Sequence, residues 1–406
     1  MSKNRKQLPP DPVEARIESL THDGRGLTHI DGKAVFVHGA LAGERVVVRY
    51  TRVQRRYDEG IVTEVLEPAA ERVAPRCASF GICGGCSLQH MDPAAQIAAK
   101  QAILADVLRR IGKVEPERWL EPLAAEDWGY RRKARLGVRW VAKKGRVLVG
   151  FRERGSAFVT DITGCDVLHP SVGDQLPALA RLIERLSIRE RVPQIEVAMG
   201  DGPVVLVFRV LDPPSDADVA LLQAFAAETG FHLYLQDGGV ETVEPLTGQG
   251  TELRYSLPNH LVHIDLDPLD FTQVNLELNR LMVDRALDLL DLQPDDRVLD
   301  LFCGLGNFTL PLARRARTVV GVEGDEGLVQ RARRNAERNA IDNASFHSAD
   351  LYGDIEQAPW RREHFDKALI DPPRSGALEV LDLLAQSGAN RLVYVSCYPS
   401  TLARDA

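Results

Sequence analysis

A strand that breaks into a glycine turn and restarts as a helix constrains this chain more than any other feature. In VLDLFCGLGNFTLPLA (residues 298–313), an apolar run ends at Leu301, Gly304 and Gly306 follow, and a helical pattern resumes. Three more apolar runs come after it, TVVGVE, ALIDPP and RLVYVSC, joined by stretches with helical spacing. Alternation of this kind requires crossover helices, so a mostly parallel, doubly wound sheet is expected from about Phe271 onward. Ligands bind such sheets at the carboxyl ends of the strands.

Those strand ends carry the candidate chemistry. Gly304 and Gly306 let the backbone approach a ligand, although a G-x-G turn alone occurs in many folds. The next strand ends in Glu323, placed to take ribose hydroxyls. Between TVVGVE and ALIDPP a further strand ends in FHSAD, and Asp350 follows this third strand, where it could accept an adenine amino group or be an ordinary loop aspartate. The fourth strand ends in Asp371-Pro372-Pro373-Arg374. A dinucleotide-binding domain would prefer G-x-G-x-x-G, which is missing here, so S-adenosylmethionine is the expected cofactor. Cys397 lies just past the fifth strand, outside the apolar run. A thiolate there could add to a pyrimidine ring, and a buried structural cysteine is the competing reading.

The rest of the chain divides by pattern. With 406 residues, two or three domains are expected. Residues 1–12 are polar and proline-rich, and are expected to form a disordered arm. Residues 13–68 show short β-branched runs separated by turn signals, which suggests a small antiparallel barrel. Arg49, Arg52, Arg55 and Arg56 lie in it and suit either RNA contact or a solvated loop. The segment from Asp92 to Gly112 reads as a helix, with Asp92 as N-cap and Pro93 at the first position. Residues 128–260 read as a β-rich region.

Cysteine spacing adds a second candidate site. Cys77, Cys83 and Cys86 lie within ten residues, and Cys165 follows far downstream. Four thiolates suit zinc or an iron–sulfur cluster. The three-plus-one spacing, with Gly84 and Gly85 leaving amide N–H groups free, leans toward [4Fe–4S].

Net charge is −8, which counts against a protein coated in nucleic acid over its whole surface. A local basic run nevertheless extends from Arg131 to Arg154, with Arg132, Lys133, Arg135, Arg139, Lys143, Lys144, Arg146 and Arg152 between them. Tyr130, Trp140 and Phe151 are interleaved and could stack on bases. Strand alternation would put Arg131, Lys133 and Arg135 on one face. No apolar run reaches the roughly 20 residues that span a bilayer, and no secretory signal is visible, so a cytoplasmic location is expected.

Together, C-x5-CGGC with a distant cysteine, FTQVN, DLFCGLGNF, the Glu323 strand, IDPPR and VSCYP resemble the uracil-C5 RNA methyltransferases, over nearly the whole chain. The resemblance implies a TRAM-like, OB-like barrel at 13–68. It implies a central cluster and RNA-binding domain at 75–92 and 125–265. A Rossmann-like class I methyltransferase domain would take 93–124 and 266–406, with the helix near 93–112 packed on it. It implies that Gln273, Phe302, Asn307, Glu323, Asp350 and Asp371 contact S-adenosylmethionine, and that Cys397 is the nucleophile. Cys77, Cys83, Cys86 and Cys165 would ligate a structural [4Fe–4S] cluster. The implied partner is 23S ribosomal RNA, with a transfer RNA as the alternative. Family chains continue past the LARDA segment and supply there the last strands and a glutamate base. On that reading a chain ending at Ala406 turns over slowly or not at all. Competing functions are an exocyclic-amine methyltransferase, disfavoured by Arg374 and Cys397, and a non-catalytic RNA-binding iron–sulfur protein.

Overall fold

The computed structural model describes residues 8–9, 11–353, 355 and 358–406. Most of the expected disordered arm lies outside the described residues. The chain divides into two compact units, one of residues 1–118 and 151–162, the other of residues 119–150 and 163–406.

The first unit opens with six strands, β1 (Val13–Arg16), β2 (Ser19–Leu20), β3 (Gly26–Ile30), β4 (Lys33–His38), β5 (Arg45–Val53) and β6 (Tyr57–Glu67). They form one sheet in the order β1-β5-β6-β4-β3-β2. Alternation along β4 and β5 sends Val35, Val37, Val46 and Val48 inward, where they bury with Ile17 and Ala40. The register of β5 on β6 shifts at three places, bulges that let a short sheet curl. Arg55 and Arg56 are exposed in the β5–β6 turn. Helix α1 (Pro93–Val107) follows, and the Asp92 side chain accepts from the Ala94 and Ala95 amides as the sequence predicts. A turn of π-helix over Leu108–Gly112 ends it, with Lys113 left-handed. The division groups residues 93–118 with the barrel, where the resemblance has them with the methyltransferase domain. The Asp92 amide donates to Glu71 O, and Gln96 Nε2 donates to Leu88 O and Met91 O, so the helix start is anchored to the cysteine-bearing segment.

The second unit begins with a mixed six-stranded sheet. Its strands are β7 (Ala134–Val141), β8 (Arg146–Gly150), β9 (Gln194–Met199), β10 (Val204–Arg209), β11 (His232–Gln236) and β12 (Glu244–Pro245), in the order β12-β11-β10-β9-β7-β8. The short α2 (Pro170–Gly173), α3 (Leu176–Arg185) and α4 (Asp216–Thr229) accompany it. A hairpin of β13 (Leu253–Leu257) and β14 (Val262–Leu266) leads to α5 (Leu276–Leu290).

The expected doubly wound sheet is then present. Its strands are β15 (Arg297–Leu301), β16 (Thr318–Glu323), β17 (Ala344–Ser348), β18 (Lys367–Ile370) and β19 (Arg391–Tyr394). All run parallel, in the order β17-β16-β15-β18-β19. The order reverses between β15 and β18, so the crevice between the loops that follow them is the ligand position for this topology. Helices α6 (Thr309–Ala313), α7 (Glu326–Arg338), α8 (Leu381–Gln386) and α9 (Pro399–Asp405) complete the unit. Apolar clusters cover both sheet faces, one around Val298, Leu310, Val329 and Leu369, the other around Leu299, Val320, Trp360 and Ile370. Burial on both faces explains why these strands read as unbroken apolar runs.

Candidate active site

The turn after β15 is the foundation of the site. The backbone is left-handed at Phe302 (φ 63°), Gly304 (φ 53°) and Gly306 (φ 91°). For phenylalanine that conformation costs roughly 1–3 kcal/mol, a strain kept only where the surroundings impose it. A Cβ added to Gly304 would meet nothing within 4 Å, so the turn faces open space. The Phe302 ring packs at 5.8 Å, tilted, on Tyr352, giving the crevice an aromatic wall.

Glu323 ends β16 and is braced by backbone. Its carboxylate accepts from the Gly304 amide at 3.1 Å, from Gly324 at 2.7 Å and from Asp325 at 3.2 Å. It is therefore fixed at the lip of the turn, where an acidic group can accept from ribose hydroxyls. Asp350 is exposed and accepts from the Tyr352 amide at 3.0 Å. The Tyr352 hydroxyl reaches Gly376 O at 2.9 Å and Ser375 Oγ at 2.7 Å, which ties this loop to the one after β18.

Asn307 is committed largely to framework. Its Oδ1 accepts from Tyr255 Oη and from Asn279 Nδ2, both at 2.9 Å, and its Nδ2 donates to Asn279 Oδ1 at 3.0 Å. This reciprocal amide pair pins the glycine turn to α5, and it leaves one Nδ2 hydrogen for a ligand. Gln273 is half-buried in the segment leading into α5, which is held by the Arg132 amide donating to Val274 O at 3.0 Å.

Burial governs the acidic groups. Asp371, at the end of β18, is pushed up to about 6 by burial. Asp300, fully buried inside β15, is pushed up to about 8, first by burial and then by the charges of Asp371 and Glu323. Cys303 is buried too, and burial raises its thiol well above the ordinary range, so it stays neutral. A neutral buried thiol is a poor nucleophile. Cys397 is exposed instead, beyond the end of β19. The Ser396 hydroxyl closes its loop, accepting from the Tyr398 amide at 3.1 Å and donating to Tyr398 O at 3.2 Å. The Val395 amide donates to Ile370 O at 2.8 Å, continuing the sheet to within two residues of the cysteine.

The parallel strands thus bring Phe302, Glu323, Asp350, Asp371 and Cys397 to one sheet edge. Tyr255, Asn279, Tyr352 and Ser396 support them, and the sequence patterns do not single them out. The Asp350-x-Tyr352 spacing is the only hint for Tyr352. Asn279 and Tyr255 bond across 28 and 52 residues of chain, which spacing does not show.

The basic run is partly diverted. Regular pairing in β7 starts at Ala134, so Arg131, Lys133 and Arg135 do not share a strand face. Arg132 donates to Gly200 O at 2.8 Å and Lys133 Nζ to Pro268 O at 2.5 Å, and burial lowers the lysine below its usual range. Arg135 and Arg139 do face outward on β7, with Lys143 exposed beyond them. Arg135 pairs with Glu196, and the Arg189 guanidinium stacks 4.8 Å above the Trp140 ring.

In the first unit, the Gly85 amide donates to Cys83 Sγ at 3.4 Å, and Arg154 donates to Cys86 O at 2.6 Å. Gly84 lies against Arg152 O, where a Cβ would come within 2.9 Å. Cys165 belongs to the second unit. Among the described residues, no three His, Cys, Asp or Glu side chains gather as metal ligands.

Comparison with known proteins places these features. Residues 259–406 match the model of the tRNA (uracil-5-)-methyltransferase family, and residues 12–63 match the TRAM domain. A 23S rRNA (uracil(1939)-C(5))-methyltransferase of Alkalilimnicola ehrlichii is 55% identical, with 100% of this chain and 92% of the relative covered. One from Methylococcus capsulatus is 53% identical, with 99% and 91% covered. A Pyrococcus abyssi tRNA (uracil-54, C5)-methyltransferase, solved with S-adenosyl-L-homocysteine, superposes with a TM-score of 0.72 over 97% of this chain and 92% of its own. At 24% identity that likeness establishes the fold.

Proposed function

The chain belongs to the family of the 23S rRNA (uracil(1939)-C(5))-methyltransferases, and from that membership we propose that it methylates carbon 5 of a uridine in 23S ribosomal RNA with Cys397 as nucleophile. The observation that carries the residue assignment is the contrast between two thiols on one sheet edge: Cys303 buried and neutral, Cys397 exposed on a loop closed by Ser396.

The residues present fit S-adenosylmethionine. Open space faces Gly304, Glu323 is held as an acceptor, and Phe302 and Tyr352 wall the crevice. Phe302, Asn307, Glu323, Asp350, Asp371 and Gln273 are the proposed cofactor contacts. Bound S-adenosylmethionine supplies an electrophilic methyl group on a positively charged sulfur. Cys397 Sγ, as thiolate, adds to carbon 6 of the uracil, and the ring's electrons pass to carbon 5 and the carbonyl at carbon 4. Carbon 5 would take the methyl group as the methyl's bond to the sulfonium sulfur breaks, leaving neutral S-adenosylhomocysteine. A base would then remove the proton from carbon 5, and the electrons left behind would expel the thiolate from carbon 6. The target base has to leave its stack to reach the crevice.

A trapping experiment tests this reading. Ribosomal RNA containing 5-fluorouridine should form a covalent complex that survives denaturation, because fluorine on carbon 5 cannot be removed as a proton. Cys397→Ala should form none and should abolish methylation, with little change in melting temperature at so exposed a site. Unchanged methylation by Cys397→Ala would refute the mechanism.

Cys77, Cys83 and Cys86 are further proposed as thiolate ligands of a [4Fe–4S] cluster. Donor chemistry supports this, as does the amide N–H aimed at Cys83 Sγ, the arrangement cluster sulfurs favour. Such a group would be structural and take no part in methyl transfer. Anaerobically purified protein should contain iron and acid-labile sulfide, both lost in Cys83→Ser. Stoichiometric zinc without iron would replace this proposal with a zinc site.

A further inference from the structure

The loops after β18 and β19 carry the two groups that the reaction must hold together, Asp371 and Cys397. They are not joined by strand pairing beyond Val395. What joins them is Asp405, on α9, the helix that begins two residues after Cys397. Its carboxylate is wholly buried. Asp405 Oδ2 accepts from the Ala377 amide at 2.7 Å and from the Tyr394 hydroxyl at 2.7 Å. Ala377 lies six residues beyond Asp371, and Tyr394 three residues before Cys397. Asp405 Oδ1 accepts from Arg404 Nε at 2.7 Å, and Arg404 also donates to Ser375 O at 2.9 Å.

The loop has been shaped to admit this clamp. Gly376 is left-handed (φ 85°), and a Cβ there would come within 2.5 Å of both the Arg404 guanidinium and Asp405 Oδ2. The same segment is held on its other side by the Tyr352 hydroxyl on Gly376 O. Burial opposes the charge of Asp405, and the hydrogen bonds from Ala377, Tyr394 and Arg404 together outweigh it, holding the carboxyl below the usual aspartate range. A charged acceptor shared by two donors inside a protein is a strong, directional link.

We propose that Asp405 is a positioning residue that fixes the Cys397 loop relative to the Asp371 loop and so sets the attack geometry of the thiolate. The role rests on the function proposed above, since it needs Cys397 to be the nucleophile. It differs from a plain structural role in what it predicts. A misplacement of about 1 Å at the reacting atoms can cost about 100-fold in rate while ligand binding persists.

The test uses Asp405→Asn and Tyr394→Phe, the second removing one hydroxyl only. Three quantities are read for the wild type and each variant: the rate of covalent trapping by 5-fluorouridine RNA, the affinity for that RNA, and the affinity for S-adenosylmethionine. The expected result is a trapping rate lowered at least 10-fold in Asp405→Asn and by a smaller factor in Tyr394→Phe. Both affinities should stay within about threefold, and the double variant should be no worse than Asp405→Asn alone. Wild-type trapping rates in a folded Tyr394→Phe would overturn the inference. So would equal losses in all three quantities, which would make the clamp a stability element. If the wild type itself gives no adduct, the nucleophile assignment fails instead.

Discussion

Asp300 sits inside β15 with no solvent contact, accepting from Thr309 Oγ1 at 2.6 Å through one oxygen. Its other oxygen has no hydrogen-bond partner among the described residues. Burial pushes it up to about 8, so it is a neutral carboxylic acid at pH 7 while Glu323 nearby is held by three amides. The consequence for stability has a definite sign. An aspartate in the unfolded chain loses its proton near pH 4, so between about pH 4 and 8 the folded state holds one proton more. Stability from this group is therefore complete below pH 4 and is lost as pH rises through 8, by up to about 1.4 kcal/mol per pH unit. Asp300→Asn, which keeps an acceptor for Thr309, should lack that slope. Its melting temperature relative to wild type should rise between pH 5 and pH 8. A constant difference across that range would show that Asp300 is ionised in the folded protein.

At the scale of single elements, β7 shows how a charged run separates into framework and surface. Arg132 and Lys133 are consumed by backbone carbonyls before the strand starts. Within the strand, Ala134, Leu136 and Val138 are buried, so period-two alternation leaves Arg135 and Arg139 outward. Arg135 keeps 72% of its side chain exposed even while paired with Glu196. Its partner Glu196 is buried, so removing Arg135 would strip a buried carboxylate of its ion pair and cost stability as well as binding. Arg139, exposed on the same face, is where a binding effect can be read separately from stability. Arg139→Glu should weaken RNA binding about equally for all sequences, with little change in melting temperature. The slope of log affinity against log salt should become shallower by about 0.7 for each phosphate of single-stranded RNA that Arg139 neutralises. Binding and salt slope both unchanged would remove β7 from the RNA interface.

At the scale of the whole molecule, a net charge of −8 coexists with locally basic patches, because electrostatic binding depends on where charge sits. The β-rich N-terminal and middle regions and the doubly wound sheet are legible in the sequence, although β4 pairs β6 in parallel where the turn signals suggested an antiparallel barrel. Each is written in apolar periodicity and turn residues that act over a few positions. The cap at Asp92 and the strand-end positions of Glu323, Asp371 and Cys397 are legible for the same reason. The basic face departs from its expected layout at Arg131 and Lys133, since alternation along a run does not say where ladder pairing begins.

The sequence by itself determined the alternation of strands and helices, the glycine turn, and which side chains stand at the carboxyl edge, because a parallel sheet delivers every strand end to one side. Only the tertiary structure decided which of those side chains ionise and which are already engaged. Asp300, Asp371 and Cys303 are shifted by burial. Asn307 is paired with Asn279, and Asp405 clamps Ala377 to Tyr394. Desolvation and long-range hydrogen bonds depend on distances through space, and spacing along the chain carries no record of them.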